Sequence, residues 1–169
     1  MRKNTSTPAI KMLESANIPF RVYSYENISS DYGEEAVDVM VARLGIDPHQ
    51  IFKTLIIELS EKRTPGEPSL AVAIVPVPER LSMKKAAHAF GAKKASMARI
   101  NDAEKTTGYV AGGISPFGQR HKLRTFIDNS ANKWEKIYVS AGKRGCDIEI
   151  SPADLMHITA CKTADLTED

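Results

Sequence analysis

Lys53 stands inside Ile51-Phe52-Lys53-Thr54-Leu55-Ile56-Ile57, a β-branched and aliphatic run otherwise fit for a buried strand. A lysine there either lies on the strand's solvent face and snorkels its head to water, or is a cation held at the mouth of a pocket. In the second case the ammonium can bind phosphate or stabilise the oxyanion that develops when a carboxylic ester is cleaved. Val110-Ala111-Gly112-Gly113-Ile114-Ser115-Pro116-Phe117-Gly118 packs three glycines and a proline into nine residues. Its backbone either approaches a ligand closely and presents N–H groups, or makes a tight turn beside a sheet. Ser140-Ala141-Gly142-Lys143-Arg144-Gly145 is a hairpin whose backbone and two cations face phosphate, or a solvated turn.

The chain carries none of the usual hydrolase signatures. His49, His88, His121 and His157 share no short spacing with one another, so a zinc site is not expected. There is no Gly-x-Ser-x-Gly elbow and no Gly-x-x-x-x-Gly-Lys phosphate loop. Cys146 and Cys161 lie in no nucleophile motif and form no C-x-x-C pair, which points to a reducing compartment. The polar start leads into an amphipathic stretch rather than an apolar signal core, and the longest apolar run, 70–77, is too short to cross a bilayer. The cytosol is the expected location.

The 169 residues carry 23 Lys and Arg against 21 Asp and Glu, a net charge of +2, which excludes a histone-like nucleic-acid binder. Any contact with nucleic acid must be local. Arg120, Lys122 and Arg124 alternate along an expected strand, Lys143 and Arg144 share the later turn, and Lys84-Lys85 and Lys93-Lys94 flank one helix. These groups are solvated faces taken singly, and together suit a patch for an RNA backbone.

The elements that must position these residues follow from periodicity. Thr7-Pro8 caps a helix whose apolar positions Ile10, Leu13 and Ala16 run to Asn17, and alternation over 20–25 suits a strand with Tyr23 and Tyr25 on one face. A polar loop spans 27–31, and a second helix over 34–44 ends at Gly45. Strands over 51–59 and 70–77 are joined by a long polar hairpin loop, 60–69. Ser82 caps a helix to Phe90, a short strand covers 94–97, and Asn101 caps a brief helix ending near Gly108. Strands follow over 123–128, 136–140 and 147–150, then a helix from Ser151-Pro152 to about Thr159. The pattern lacks regular βαβ alternation and reads as a single α+β domain over 1–169, with a curved, mixed, barrel-like sheet and surrounding helices.

Phe52-Lys53-Thr54-Leu55, Gly108-Tyr109 with Gly112-Gly113-Ile114-Ser115-Pro116, and Tyr138-Val139-Ser140-Ala141-Gly142-Lys143-Arg144-Gly145 resemble, in order and spacing, the YbaK family. That family comprises free-standing domains that deacylate cysteinyl-tRNA(Pro), and it is similar to the insertion editing domain of bacterial prolyl-tRNA synthetases. The resemblance runs from about Thr7 to Asp165. It implies a pocket for the 3′ end of a mischarged tRNA, with no metal or organic cofactor. By motif it makes Lys53 the essential lysine that engages the terminal adenosine's phosphate and orients the ester, with Thr54 beside it. It puts Tyr25 and Tyr32 in the pocket lining, lays the Gly112 and Gly113 backbone against substrate, and sets Ser140, Gly142 and Asp147 in the wall opposite.

The resemblance also implies a reaction without a protein nucleophile, in which the substrate's own cysteine thiol attacks the ester and leaves as a cyclic thiolactone. A hydroxyl is a far weaker nucleophile than a partly ionised thiol, so selection of cysteine is chemical as well as steric. The implied partners are tRNA and, in a ternary complex, prolyl-tRNA synthetase. Ala141 stands where the family often has a second glycine, and Tyr32 where it uses another aromatic residue. Two alternatives stay open: a deacylase for Ala-tRNA(Pro) or another small aminoacyl-tRNA, and a non-catalytic module that binds tRNA or the synthetase.

Overall fold

The computed structural model describes residues 6–25, 32–60 and 69–169, and of residues 32–36 the backbone alone. Most of the loops expected over 27–31 and 60–69 therefore lies outside the described residues.

Helix α1, Pro8–Ser15, starts as its cap predicts: the Thr7 hydroxyl accepts from the Ile10 amide at 3.2 Å, and Pro8 occupies the first turn. Its apolar spacing buries Ala9, Ile10 and Leu13. Strand β1, Arg21–Ser24, leads to helix α2, Tyr32–Leu44, which ends at Gly45 in the left-handed region (φ 62°). A 3-10 turn at Pro48–Gln50 delivers the chain into β2, Phe52–Leu59, which pairs antiparallel with β3, Ser69–Pro76. Helix α3, Met83–Phe90, is capped by Ser82 and closed by Gly91 (φ 72°). Strand β4, Ala95–Met97, precedes helix α4, Ile100–Thr107.

The cap expected at Asn101 is not used: the helix starts earlier, with Arg99 at the N-cap and no side-chain hydrogen bond there. After the glycine-rich stretch come β5, Thr125–Asp128, a 3-10 helix at Asn129–Lys133, β6, Ile137–Lys143, and β7, Cys146–Ile150. Helix α5, Pro152–Thr159, is capped by Ser151, whose hydroxyl accepts from the Asp154 amide at 3.1 Å. A final strand, β8, Lys162–Ala164, has no counterpart in the sequence reading. Three residues, one of them a lysine, carry too little alternation to be seen, and β8 forms because β5 offers it a parallel edge.

The fold is α+β with mixed pairing, and the strands do not close into a barrel. They form a three-stranded sheet, β1-β7-β6, and a five-stranded sheet, β4-β2-β3-β5-β8. An isolated parallel bridge between Ile51 and Tyr138 joins the two at the start of β2. Alternation along β3 shows how the sheets share the interior. Val72 and Ile74 enter the main core with Ile10, Leu13, Phe117, Val139 and Ile148, whereas Ala71, Ala73 and Val75 face Ala86 and Phe90 of α3. A smaller cluster lies at the seam between the sheets, where Met40 of α2 meets Ile51 and Tyr138, with Tyr23 and Val77 against them.

Candidate active site

Lys53 is the second residue of β2, lies opposite Val75 and is half-buried, with Nζ donating to the Val77 carbonyl at 3.3 Å. Ile51, two residues earlier on the same face, forms the bridge to Tyr138. The parallel direction of that bridge carries Lys53 and Ser140, two residues on in each strand, along the same seam. The lysine is thus set at the junction of the two sheets.

Thr54 faces the other way. Strand alternation puts it with Phe52 and Ile56, which lie in the main core, so it does not share a face with Lys53. Its Oγ1 is buried and has no hydrogen-bond partner.

Ser140 and Asp147 are register partners across β6 and β7, and Tyr23 of β1 pairs with Asp147 from the other side. Directly paired residues point to one face of a sheet, so the three side chains form a row. The Asp147 carboxyl is buried, and Oδ2 has no partner. Desolvation penalises its charged form and pushes its pKa up to about 7. Tyr25 lies just beyond β1, with its amide donating to the Gly145 carbonyl at 2.8 Å, which puts it beside the β6–β7 turn. Tyr32 is the first residue of α2, and its side chain lies outside the described residues.

The glycines divide between two uses. Gly142 has φ 101°, and a Cβ there would come within 2.7 Å of the Tyr109 ring. That ring cannot easily yield, because it is buried and the Tyr109 hydroxyl donates to the Phe117 carbonyl at 2.6 Å; the same burial raises the phenol's pKa to about 12. A Cβ on Gly113 would meet the Lys143 and Arg144 backbone at 2.9 Å, and Arg144 Nε donates to the Ala111 carbonyl at 2.9 Å. The glycine-rich stretch is therefore docked under the β6–β7 hairpin. Gly113 serves that protein–protein approach, while Gly112, exposed and at φ 86°, keeps an accessible backbone. Ser140 Oγ accepts from the Gly142 amide at 3.2 Å where the β6–β7 register shifts.

Glu149 was not expected at the site. Two residues beyond Asp147 on the same face, it accepts from the hydroxyls of Tyr138 at 2.8 Å and Tyr23 at 3.2 Å through one oxygen. Burial, then this carboxylate, raises the Tyr138 phenol's pKa. The signal in the sequence is the i, i+2 spacing of Asp147 and Glu149 within a strand.

Neither cysteine is an activated nucleophile: both are buried and free, and burial pushes each thiol up. Among the described residues no group of three His, Cys, Asp or Glu could hold a metal ion. Arg120 and Lys122 lie in the connection before β5 rather than alternating along a strand. Arg124 lies over the Phe90 ring at 5.7 Å, and Lys85 is held by Asp165 and Asp169 at about 3 Å, so each of these two cations has a structural contact. No helix among the described residues is long and apolar enough to cross a membrane.

This fold is shared over nearly its full length by a crystal structure described as that of "a putative trans-editing enzyme for prolyl tRNA synthetase", with a TM-score of 0.78 at 20% identity, covering 98% of this chain and 100% of that one. The family model of the "Aminoacyl-tRNA editing domain" matches residues 34–158, and the chain belongs to that family. It is an enzyme that cleaves the ester between an amino acid and its tRNA. Among curated proteins it is 35% identical over 161 residues to the "Putative Cys-tRNA(Pro)/Cys-tRNA(Cys) deacylase EbsC" of Enterococcus faecalis, covering 95% of this chain and 93% of the relative. It is 26% identical over 153 residues to the "Uncharacterized protein YwhH" of Bacillus subtilis, covering 89% and 92%.

Proposed function

We propose that the chain removes cysteine mischarged onto tRNA(Pro), with the substrate's own thiol as nucleophile. What carries the choice of cysteine is the substrate in the name of the Enterococcus relative, and the chain's own two thiols, buried and pushed up by burial, are not activated to replace the substrate's. The thiolate sulfur attacks the ester carbon, the bond from that carbon to the ribose oxygen breaks, and the ribose hydroxyl departs with the proton the thiol gave up. The products are free tRNA and the cyclic thiolactone of cysteine, which water opens afterwards. Holding sulfur and carbonyl in near-attack geometry can lower the barrier by on the order of 7–11 kcal/mol at best without any protein nucleophile.

In this reading the Lys53 ammonium orients the ester and offsets charge developing on its oxygen. The unpartnered Asp147 Oδ2 is available to a donor on the substrate, and an aminoacyl ester supplies one in its α-ammonium. Tyr25 and Tyr32 line the pocket, Gly112 offers backbone, and Ser140 with Gly142 forms the opposite wall. Thr54 acts from the core side of β2 and Gly113 through the hairpin it supports. The reaction takes place in the cytosol on tRNA, with prolyl-tRNA synthetase as the partner that presents it.

The test is release of amino acid from Cys-, Ala- and Ser-tRNA(Pro) by purified protein, with Lys53→Ala as control. Loss of the cysteinyl ester alone, abolished in the variant, is the expected result. Loss of the alanyl ester would move the protein to a neighbouring specificity, and binding without release would make it a carrier of tRNA rather than a deacylase.

A further inference from the structure

His49 lies in the 3-10 turn ahead of β2 with a carboxylate at each ring nitrogen: Nδ1 is 3.1 Å from Asp47 Oδ1, and Nε2 is 3.1 Å from Glu79 Oε1. An ionised carboxylate only accepts, so both contacts are hydrogen bonds only when both nitrogens carry protons. The His49 amide also donates to Asp47 Oδ1 at 2.9 Å, and this bond, then the imidazole contact, holds the Asp47 carboxyl below its ordinary value.

Glu79 belongs to the turn after β3, closed by its own amide donating to the Pro76 carbonyl at 3.0 Å. In that turn Val77 donates its amide to Ile51 at 2.7 Å and accepts from Lys53 Nζ at 3.3 Å. A continuous path of hydrogen bonds and two peptide units thus runs from the imidazolium to the ammonium at the site. From the 3-10 helix over Asn129–Lys133, the Lys133 cation acts on Asp47, and the uncharged Gln50 amide reaches the Lys136 carbonyl at 3.0 Å.

We propose that His49 is a positioning residue for deacylation: as an imidazolium it clamps the 76–80 turn through Glu79 and so holds the Val77 carbonyl where it fixes Lys53. The inference rests on Lys53 acting on the ester, as argued above. With Nε2 unprotonated, its lone pair faces the Glu79 carboxylate, that contact becomes repulsive, and the clamp on the turn opens. His49 and Glu79 side chains are 43% and 39% exposed, so water and salt screen the contact.

Glu79→Gln is the informative variant, because an amide accepts from a protonated Nε2 and donates to an unprotonated one. Deacylation of Cys-tRNA(Pro) is measured for both proteins from about pH 5.5 to 8.5, the range over which imidazoles change charge. The ratio of wild-type to variant kcat is expected to fall about three- to five-fold across that range, the modest size that suits an exposed ion pair, with KM little changed. A flat ratio overturns the proposal. In the free protein, the amide resonances of Val77 and Glu79 should follow the His49 ring resonance with pH in wild type and not in Glu79→Gln. If they ignore His49 in wild type, the clamp does not exist. If they follow it in a protein that releases no cysteine, the deacylase reading fails while the clamp stands.

Discussion

The two faces of the β1-β7-β6 sheet are made from the same strands and do opposite work. On the inner face Cys146, Ile148 and Ile150 join Ile137 and Val139 in the main core, every one of them within 1% of complete burial. On the outer face Asp147 and Glu149 stand with Tyr23, Tyr138 and Ser140. The inner face stabilises the sheet by removing apolar area from water, at roughly 25 cal/mol per Å2. The outer face buries polar groups and treats its two carboxyls unequally: Glu149 receives two phenolic hydrogen bonds, while Asp147 Oδ2 receives none. A fold keeps an unpaired buried carboxyl at a cost, and a site awaiting a donor from its substrate is one setting in which that cost has a use.

That contrast can be broken in several places. Lys53→Ala, beside the outer face, should lower deacylation by roughly a thousand-fold, the size of losing a preorganised electrostatic group, while the thermal midpoint moves by no more than a few degrees. An active Lys53→Ala protein would remove the lysine from the mechanism.

Asp147 carries a stability effect whose sign follows from its raised value. In the unfolded chain an aspartate ionises near pH 4, whereas in the fold it keeps its proton until about pH 7. Stability is therefore lost as pH rises through that window and stays low above it. The loss is on the order of 4 kcal/mol for a displacement of this size. Asp147→Asn should match wild type at pH 4 and exceed it by a few kcal/mol at pH 8 in urea unfolding, with deacylation impaired. A difference independent of pH would show that Asp147 is not buried without a partner.

Gly142→Ala sharpens the comparison at the hairpin that links the faces. Its Cβ would meet the pinned Tyr109 ring at 2.7 Å in a backbone conformation that L residues avoid, so a loss of about 1–3 kcal/mol is expected by denaturant titration. Ile148→Val, on the inner face, should cost only about 1 kcal/mol and leave the deacylation rate unchanged. A rate loss there would mean that the faces are not separable.

Much of the fold was legible because helix caps and strand alternation are local. Thr7-Pro8, Ser82 with Gly91, and Ser151-Pro152 marked three helices at their observed ends. Asn101 misled because a good capping side chain is only a preference: α4 starts at Ile100, with Arg99 at the N-cap and no side-chain hydrogen bond there. Glu149 escaped notice because its partners come from strands 11 and 126 residues away in sequence.

By itself the sequence determined which residues are unusual for their surroundings: a lysine in an aliphatic strand, glycines massed before a hairpin, a carboxyl in the strand that follows. It also determined the elements that carry them, since caps and periodicity act within a few residues. Tertiary structure alone decided what each does. It turned Thr54 to the core and Lys53 to the seam, assigned Gly113 and Gly142 to close packing while leaving Gly112 accessible, and left Asp147 unpaired beside a satisfied Glu149. Those outcomes depend on which strands meet, as Ile51 meets Tyr138 across 87 positions of chain, and no local pattern encodes such a pairing.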